Sequence, residues 1–192
     1  MIELYFYPSP NGLKIAIMLE ECALPYQVRF VDITRGAQFD PKFLEFSPNN
    51  KIPALIETDA AGGPIRLFES GAILVYLAER TGRFLPTDPH GRFECLAWLF
   101  WQVGGLGPMA GQAHHFRAFA SENVPYGIRR YTDEVNRLYG VMDRRLADRE
   151  WLAVDYSIAD MACYPWIVPH ERQGQRLEDF KHLKRWFDAM SG

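Results

Sequence analysis

Ser9 and Asn11 are polar residues at a turn where an anion could be stabilised. The alternating, aromatic-rich stretch 2–7 predicts a strand, and Pro8-Ser9-Pro10-Asn11-Gly12 ends it before a helical pattern begins. A hydroxyl, a carboxamide N–H₂ and the unpaired N–H groups of a helix N-terminus can all stabilise an anion. We expect Asn11 to be the stronger candidate, with helix capping as the alternative role of Ser9. Tyr7 is a competing proton donor, although its place on the strand favours core packing.

Glu69-Ser70 forms a second candidate site, at the start of another helical pattern. We predict Ser70 as the N-cap, where unpaired N–H groups and the positive end of the helix dipole favour a carboxylate. Glu69 would supply the opposite charge for an ammonium group. The alternative for both residues is an ordinary helix start.

Nearby loops carry further donors, namely Gln38, Asn50 and Lys51. They are suited to a second carboxylate, and the alternative is ordinary loop polarity exposed to solvent. Ile52-Pro53 follows a loop and precedes a strand, where a trans proline is the usual interpretation.

The cysteines and histidines predict no metal or redox motif. Cys22, Cys95 and Cys163 are far apart and lie among apolar residues, so each is expected to be a small buried hydrophobe. His114 and His115 are adjacent on a predicted helix and point in different directions, so they cannot easily bind one metal ion. We assign them a structural or second-sphere role and expect no metal site.

Two kinds of element position these residues. Strand and helix patterns over residues 1–80 predict the order βαβαββα, which is thioredoxin-like, although pattern alone leaves a ferredoxin-like alternative open. A Gly-, Pro- and Asp-rich linker follows at 81–91, and residues 92–192 are predicted to be all-helical. The predicted helices there are 92–101, 125–146, 157–168 and 179–190, with a capping box at Ser157 and Asp160.

Composition excludes several classes of protein. The net charge of −3 and the scattered Lys and Arg residues do not form the basic surface of a nucleic-acid-binding protein. No apolar run approaches the roughly 20 residues that would span a membrane. The sequence also begins in a strand pattern rather than a leader, so we expect a cytoplasmic protein without membrane or nucleic-acid partners.

Three segments together resemble the glutathione transferase family: Ser47-Pro-Asn-Asn-Lys-Ile-Pro53, Phe68-Glu-Ser-Gly-Ala-Ile-Leu-Val-Tyr-Leu77 and Tyr156-Ser-Ile-Ala-Asp160. Within it, the segment from Ser9 to Gly12 and the segment from Trp98 to Met109 resemble the bacterial nu class of disulfide-bond oxidoreductases. Ser9 stands where a relative of that class has Thr. The resemblance runs from Met1 to about Trp186 and implies a thioredoxin-like domain followed by an all-α domain.

The resemblance also implies a glutathione site and a homodimer. It implies a cis Ile52-Pro53 bond, and the backbone of Ile52 would pair with the cysteinyl part of glutathione. It also implies that Arg130 reaches a bound glutathione, and one way to do so is across a dimer interface. Glu69 and Ser70 would hold the γ-glutamyl end, while Gln38, Asn50 and Lys51 would hold the glycyl end. The aromatic residues of 98–101 would pack in the helical core and at the dimer interface.

Three functions remain open at this level. Because no cysteine occupies the turn at Ser9-Pro10-Asn11, we expect disulfide reduction in which glutathione supplies the sulfur, with weak peroxidase activity. Glutathione would then be the co-substrate, and the partner a small-molecule disulfide, peroxide or electrophile. One alternative is a transferase that conjugates glutathione to hydrophobic electrophiles. Another is a non-catalytic regulatory protein that binds glutathione.

Overall fold

The computed structural model describes residues 1–192, which form two compact units, Met1–Arg83 and Phe84–Gly192. Each unit contains its own set of fully buried apolar side chains. None of the helices is long and apolar enough to cross a membrane.

The N-terminal unit is a four-stranded mixed sheet with helices. Its elements in chain order are β1 (Ile2–Phe6), α1 (Pro10–Glu21), β2 (Tyr26–Phe30), α2 (Pro41–Leu44), β3 (Ala54–Glu57), β4 (Ile65–Phe68) and α3 (Ser70–Thr81). The strands lie in the order β2-β1-β3-β4, with β1 parallel to β2 and antiparallel to β3, and β3 antiparallel to β4. The predicted βαβαββα order and thioredoxin-like class are confirmed.

The register of the sheet brings three loops to one edge. Tyr5 at the end of β1 pairs with Ala54 at the start of β3, and Ala54 pairs with Phe68 at the end of β4. Consequently the turn after β1, the loop before β3 and the junction of β4 with α3 all leave the sheet at this edge.

The buried face of helix α1 contains a lysine. Leu13 is 39% exposed, whereas Lys14, Ile15 and Met18 are no more than 1% exposed. The apolar members of this face belong to the same fully buried set as Leu4 of β1 and Leu74 of α3. A lysine in this position is unusual because charged side chains are rarely fully buried, and Lys14 Nζ donates to the hydroxyl oxygen of Ser70 at 3.2 Å.

Glu57 anchors the far end of β3 to α3. Its carboxylate is 4% exposed, accepts hydrogen bonds from Arg80 Nε at 2.9 Å and Nη2 at 2.7 Å, and accepts another from the hydroxyl of Tyr76. Burial alone would raise the pKa of Glu57, but these hydrogen bonds and the charge of Arg80 hold it below its ordinary value of 4.5. Burial and the bond to Glu57 raise the pKa of Tyr76 to about 12.

We expect Glu57→Gln to lower the free energy of unfolding at pH 7 by about 2 kcal/mol, since it removes hydrogen bonds to a charged acceptor. A depressed pKa stabilises the folded state above the ordinary value of 4.5, and that contribution is lost as pH falls through the folded pKa. The raised pKa of Tyr76 acts in the opposite sense, so its contribution is lost as pH rises from 10.0 towards 12. Urea unfolding from pH 7 to pH 3 should therefore show the difference between wild type and Glu57→Gln shrinking in acid. Glu45→Gln, at an exposed position, is the control, and a difference that does not change with pH contradicts this account.

The C-terminal unit is helical. It contains α4 (Pro89–Trp101), α5 (Gly107–His114), α6 (Pro125–Arg145), α7 (Ile158–Ile167) and α8 (Lys181–Ser191). Two π-helical segments, Gln102–Leu106 and His115–Phe119, flank α5. The sequence prediction missed α5 and both π-helical segments, because glycine and proline dominate residues 104–111.

Asp160 links the start of α7 to neighbouring parts of this unit by hydrogen bonds. The predicted capping box is confirmed: the Asp160 carboxylate accepts from the backbone N–H and the hydroxyl of Ser157, both at 3.1 Å. It also accepts from Leu152 N at 3.0 Å and from Trp186 Nε1 of α8 at 2.9 Å. Asp160 is 0% exposed, so these four donors replace water around a buried carboxylate.

Two predictions about burial were wrong in part. Cys95 and Cys163 are buried, but Cys22 is only half-buried; all three are free thiols. Phe100 is 66% exposed and therefore does not lie in the helical core, whereas Trp98 and Trp101 are half-buried and contact each other. No group of three or more His, Cys, Asp or Glu side chains is arranged to hold a metal ion.

Candidate functional site

A small cavity of about 50 Å³ lies where the three loops of the N-terminal unit meet. It is lined by Asn11, Ser47, Asn49, Lys51, Ile52, Pro53, Phe68, Glu69 and Ser70. Six of the residues predicted from the sequence thus meet in one place: Asn11, Lys51, Ile52, Pro53, Glu69 and Ser70.

The turn after β1 is built by tight backbone packing at Gly12. A Cβ atom on Gly12 would lie 2.4 Å from the carbonyl oxygen of Tyr7, so only glycine allows the chain to turn this sharply. Ser9 is the N-cap of α1, and its hydroxyl accepts from Gly12 N at 3.3 Å. Asn11 is the second residue of α1 and lines the cavity. The capping role of Ser9 is therefore occupied, and the Asn11 carboxamide lies beside the N-terminus of α1.

Tyr7 does not pack in the core as its strand parity predicts. It lies one residue beyond β1, is half-buried, and its ring centroid is 5.7 Å from that of Phe30, a side chain that is itself 63% exposed. Tyr7 is absent from the lining of the cavity.

The loop before β3 is held by Ser47. The hydroxyl of this fully buried residue donates to Lys51 O at 2.7 Å, and its carbonyl accepts from Asn50 N at 2.9 Å. Asn50 adopts a left-handed conformation, with φ of 47°. The Ile52–Pro53 bond is cis, as the resemblance implies.

Glu69, rather than the predicted Ser70, occupies the N-cap position of α3, without a side-chain capping bond. Its φ of 72° is uncommon for a residue with a side chain, and such conformations cluster at functional sites. Ser70 is the first residue of α3, is 7% exposed, and its hydroxyl oxygen accepts from Lys14 Nζ at 3.2 Å. The predicted cap position is therefore wrong by one residue.

Several predicted residues lie outside the cavity lining. Gln38 belongs to a short 3₁₀ helix, Ala37–Phe39, and its Oε1 atom is buried without a hydrogen-bond partner. Asn50 shapes the loop but is not part of the lining. In contrast, Ser47 and Asn49 line the cavity and were not predicted. Their place in the Ser47–Pro53 motif is the signal that would have found them.

Arg130 belongs to the C-terminal unit. It lines a larger cavity of about 650 Å³ together with Met109, Tyr126, Arg129, Tyr131, Asp133, Glu134 and Arg137. Glu134 is paired with Arg137 through two hydrogen bonds of 2.8 Å. The guanidinium of Arg130 and its neighbour Arg129 give this cavity donors that match carboxylates.

The small cavity of the N-terminal unit combines charges of both signs. The exposed acid Glu69 stands beside the N-terminus of α3, and Lys51 stands on the adjoining loop. Backbone N–H groups at a helix N-terminus favour an anion, while the Glu69 carboxylate favours a cation. This arrangement matches a zwitterionic ligand.

Comparison with protein families identifies the chain. The N-terminal domain of glutathione S-transferases matches residues 8–80, and the C-terminal domain of the same family matches residues 111–192. The chain belongs to the glutathione S-transferase family. The glutathione transferase fold that was predicted from the sequence is therefore confirmed.

Two curated relatives of this chain come from Escherichia coli. The chain is 52% identical to disulfide-bond oxidoreductase YfcG over 99% of its own length and 90% of the relative. It is 40% identical to disulfide-bond oxidoreductase YghU over 96% of its length and 69% of that protein.

Solved structures of similar transferases contain glutathione in two forms. A Pseudomonas putida glutathione transferase, 43% identical with a TM-score of 0.93 over 98% of this chain and 85% of that one, binds one glutathione disulfide per subunit. A Burkholderia graminis glutathione transferase, also 43% identical with a TM-score of 0.91 over 98% of this chain and 82% of that one, binds two glutathione molecules per subunit.

Proposed function

We propose that this transferase is a glutathione-dependent disulfide-bond oxidoreductase in which glutathione supplies every reacting thiol. The observation that carries the proposal is the Ser9-Pro10-Asn11 turn, which contains no cysteine and whose Asn11 lines the cavity. The 52% identity to disulfide-bond oxidoreductase YfcG supports the reaction class.

The cysteines of the chain are poorly placed for the reaction. Cys22 is the C-cap of α1, eleven residues from Asn11, which is about 16 Å along a helix. Cys95 and Cys163 are 0% exposed, and burial raises the pKa of the Cys95 thiol and so disfavours its thiolate. The sulfur that reacts must therefore come with the ligand.

The reaction consists of two thiol–disulfide exchanges. In the first, the thiolate of one glutathione attacks the disulfide substrate, forming a mixed disulfide and releasing one substrate thiolate. In the second, another glutathione thiolate attacks the glutathione sulfur of that mixed disulfide and releases the second substrate thiolate. Two glutathiones are oxidised to glutathione disulfide, and the substrate is reduced to two thiols.

The sizes of two effects on the rate, thiol activation and positioning, show which one the protein mainly contributes. Lowering a thiol pKa from about 8.5 to about 6.5 gives roughly 25-fold more thiolate at pH 7. The accompanying loss of nucleophilicity removes about eightfold, so the net gain is only about threefold. Holding two sulfurs in line gives far more, because well-oriented reactions reach effective molarities of ~10⁵ M. Positioning is thus the main catalytic effect.

The protein positions glutathione through groups that bind each part of the tripeptide. Glu69 pairs with the α-ammonium, and the N-terminus of α3 with Ser70 takes the γ-glutamyl carboxylate. Ile52 pairs with the cysteinyl backbone beside Pro53, and Lys51, Asn50 and Gln38 serve the glycyl end. The Asn11 carboxamide donates to the thiolate, with the N-terminus of α1 behind it.

Arg130 anchors a carboxylate of a bound glutathione. A guanidinium presents a planar fork of donors that matches a carboxylate, and the 650 Å³ cavity that it lines has ample room for one end of a tripeptide. The two glutathiones in each subunit of the Burkholderia graminis transferase agree with a reaction that consumes two.

The transferase acts as a cytoplasmic homodimer of the nu class. Phe93 and Phe100 are 68% and 66% exposed and lie seven residues apart, with exposed Ala97 between them, so they form one apolar face of α4. A second copy of the chain is the proposed partner for this face. Three free cysteines agree with a reducing compartment, which also supplies glutathione.

Steady-state assays separate this function from its two alternatives. We expect glutathione to reduce hydroxyethyl disulfide, in an assay coupled to glutathione reductase, much faster than it is conjugated to a chlorinated dinitrobenzene. Faster conjugation would instead indicate a detoxifying transferase. Glutathione binding without either reaction would indicate a regulatory protein.

A further inference from the structure

Lys14 is a charged side chain enclosed within the N-terminal unit. It is 1% exposed, on the face of α1 that packs inward, and its Nζ atom lies 3.2 Å from the hydroxyl oxygen of Ser70. Ser70 is itself 7% exposed and lines the small cavity. The amine of a buried lysine therefore contacts a residue that lines the cavity.

The chemistry of an ammonium group determines the state of Ser70. An ammonium has three donors and no acceptor, so the Ser70 oxygen must accept from Lys14. The hydroxyl proton of Ser70 then cannot be directed at Lys14, and it is left to donate elsewhere. Since Ser70 lines the cavity, a ligand in the cavity meets a hydrogen-bond donor there.

The charge of Lys14 opposes the local helix dipole. A cation near a helix N-terminus is unfavourable, whereas an anion is favourable, and Ser70 is the first residue of α3. Places where a sequence breaks such a local rule are often functional sites. An anion at the start of α3 would be attracted both by the dipole and by Lys14.

We propose that Lys14 is a positioning residue that holds Ser70 as a donor and so makes this end of the cavity selective for the α-carboxylate of the γ-glutamyl group. The inference rests on the proposed function, because it assumes that glutathione occupies the cavity. Lys14 touches no ligand atom in this account and acts through Ser70.

The first test compares glutathione with an analogue whose α-carboxylate is replaced by hydrogen. We expect Lys14→Met to weaken glutathione binding about tenfold, since a hydrogen bond to a charged group is weakened. Binding of the analogue should change less than twofold. Dissociation constants from titration calorimetry measure both, and Lys42→Met, at an exposed position on α2, is the control. An equal loss for both ligands, or no loss for either, overturns the proposal.

A double-mutant cycle tests whether Lys14 acts through Ser70. Ser70→Ala alone should also weaken glutathione about tenfold, and the double variant should be about tenfold weaker rather than about 100-fold. Additive losses would mean that the two residues act independently, and the proposal would be wrong. Far-ultraviolet circular dichroism confirms that each variant is folded.

If Lys14→Met does not fold, Lys14→Gln replaces it. A glutamine amide is neutral and can accept as well as donate, so it no longer forces Ser70 to donate into the cavity. We expect at least about a threefold loss for glutathione and none for the analogue; wild-type affinity for glutathione overturns the proposal. Failure of the wild type to bind glutathione would instead refute the proposed function, which keeps the two failures distinguishable.

Discussion

Asn11→Ala is expected to lower the turnover of disulfide reduction about 100-fold at saturating glutathione. Asn11 lines the cavity beside the N-terminus of α1, and its carboxamide is proposed to fix the glutathione sulfur there. A misplacement of about 1 Å can cost roughly 100-fold. If Asn11 only lowered the thiol pKa, its loss would cost about threefold. The size of the effect therefore separates positioning from activation.

The coupled hydroxyethyl disulfide assay measures this loss, with Asn123→Ala as the control because Asn123 is exposed in a loop of the C-terminal unit. A loss of threefold or less in Asn11→Ala would refute the positioning role. If Ser9→Ala then lost about 100-fold instead, the hydroxyl would be the partner of the thiolate.

Asp160→Asn is expected to lower the free energy of unfolding by about 3 kcal/mol. An amide oxygen can still accept from Leu152 N and Trp186 Nε1, which share Oδ1. The amide N–H₂ would then face the N–H of Ser157, which bonds to Oδ2 in the native protein. Two donors would oppose each other in a site that is 0% exposed.

Thermal unfolding checks this prediction. A loss of about 3 kcal/mol corresponds to about 6–12 °C in a protein of this size. Asp148→Asn is the matched control, because the side chain of Asp148 is 78% exposed. A midpoint for Asp160→Asn within about 2 °C of wild type would show that the buried carboxylate is not needed.

Local sequence signals were sufficient for most of the elements. Gly62-Gly63-Pro64 separates two short apolar stretches, and these stretches form the strands β3 and β4. Helix α5 could not be predicted, because its glycines serve tertiary packing. A Cβ on Gly107 would lie 2.7 Å from the side chain of Gln102, and one on Gly111 would lie 3.3 Å from Trp166. The approach of Gly111 to Trp166 depends on a neighbour that is distant in sequence.

The candidate site, like the fold, could be predicted only in part, because some of its features depend on tertiary packing. The resemblance to the glutathione transferase family placed Asn11, Lys51 and Glu69 in one predicted site. The structure brings them together because the loops that carry them leave one edge of the sheet. Nothing in the pattern singles out Lys14, since a lysine in a helix is normally exposed. The positive φ of Glu69 is likewise a tertiary property.

The proposed reaction proceeds without an enzyme cysteine. Intact-protein mass spectrometry tests it most directly, on wild type quenched in acid while it reduces hydroxyethyl disulfide with glutathione. We expect the protein to carry no glutathione adduct at any time during turnover. A glutathione adduct that forms and decays at the turnover rate, and that disappears in Cys22→Ser, would contradict it.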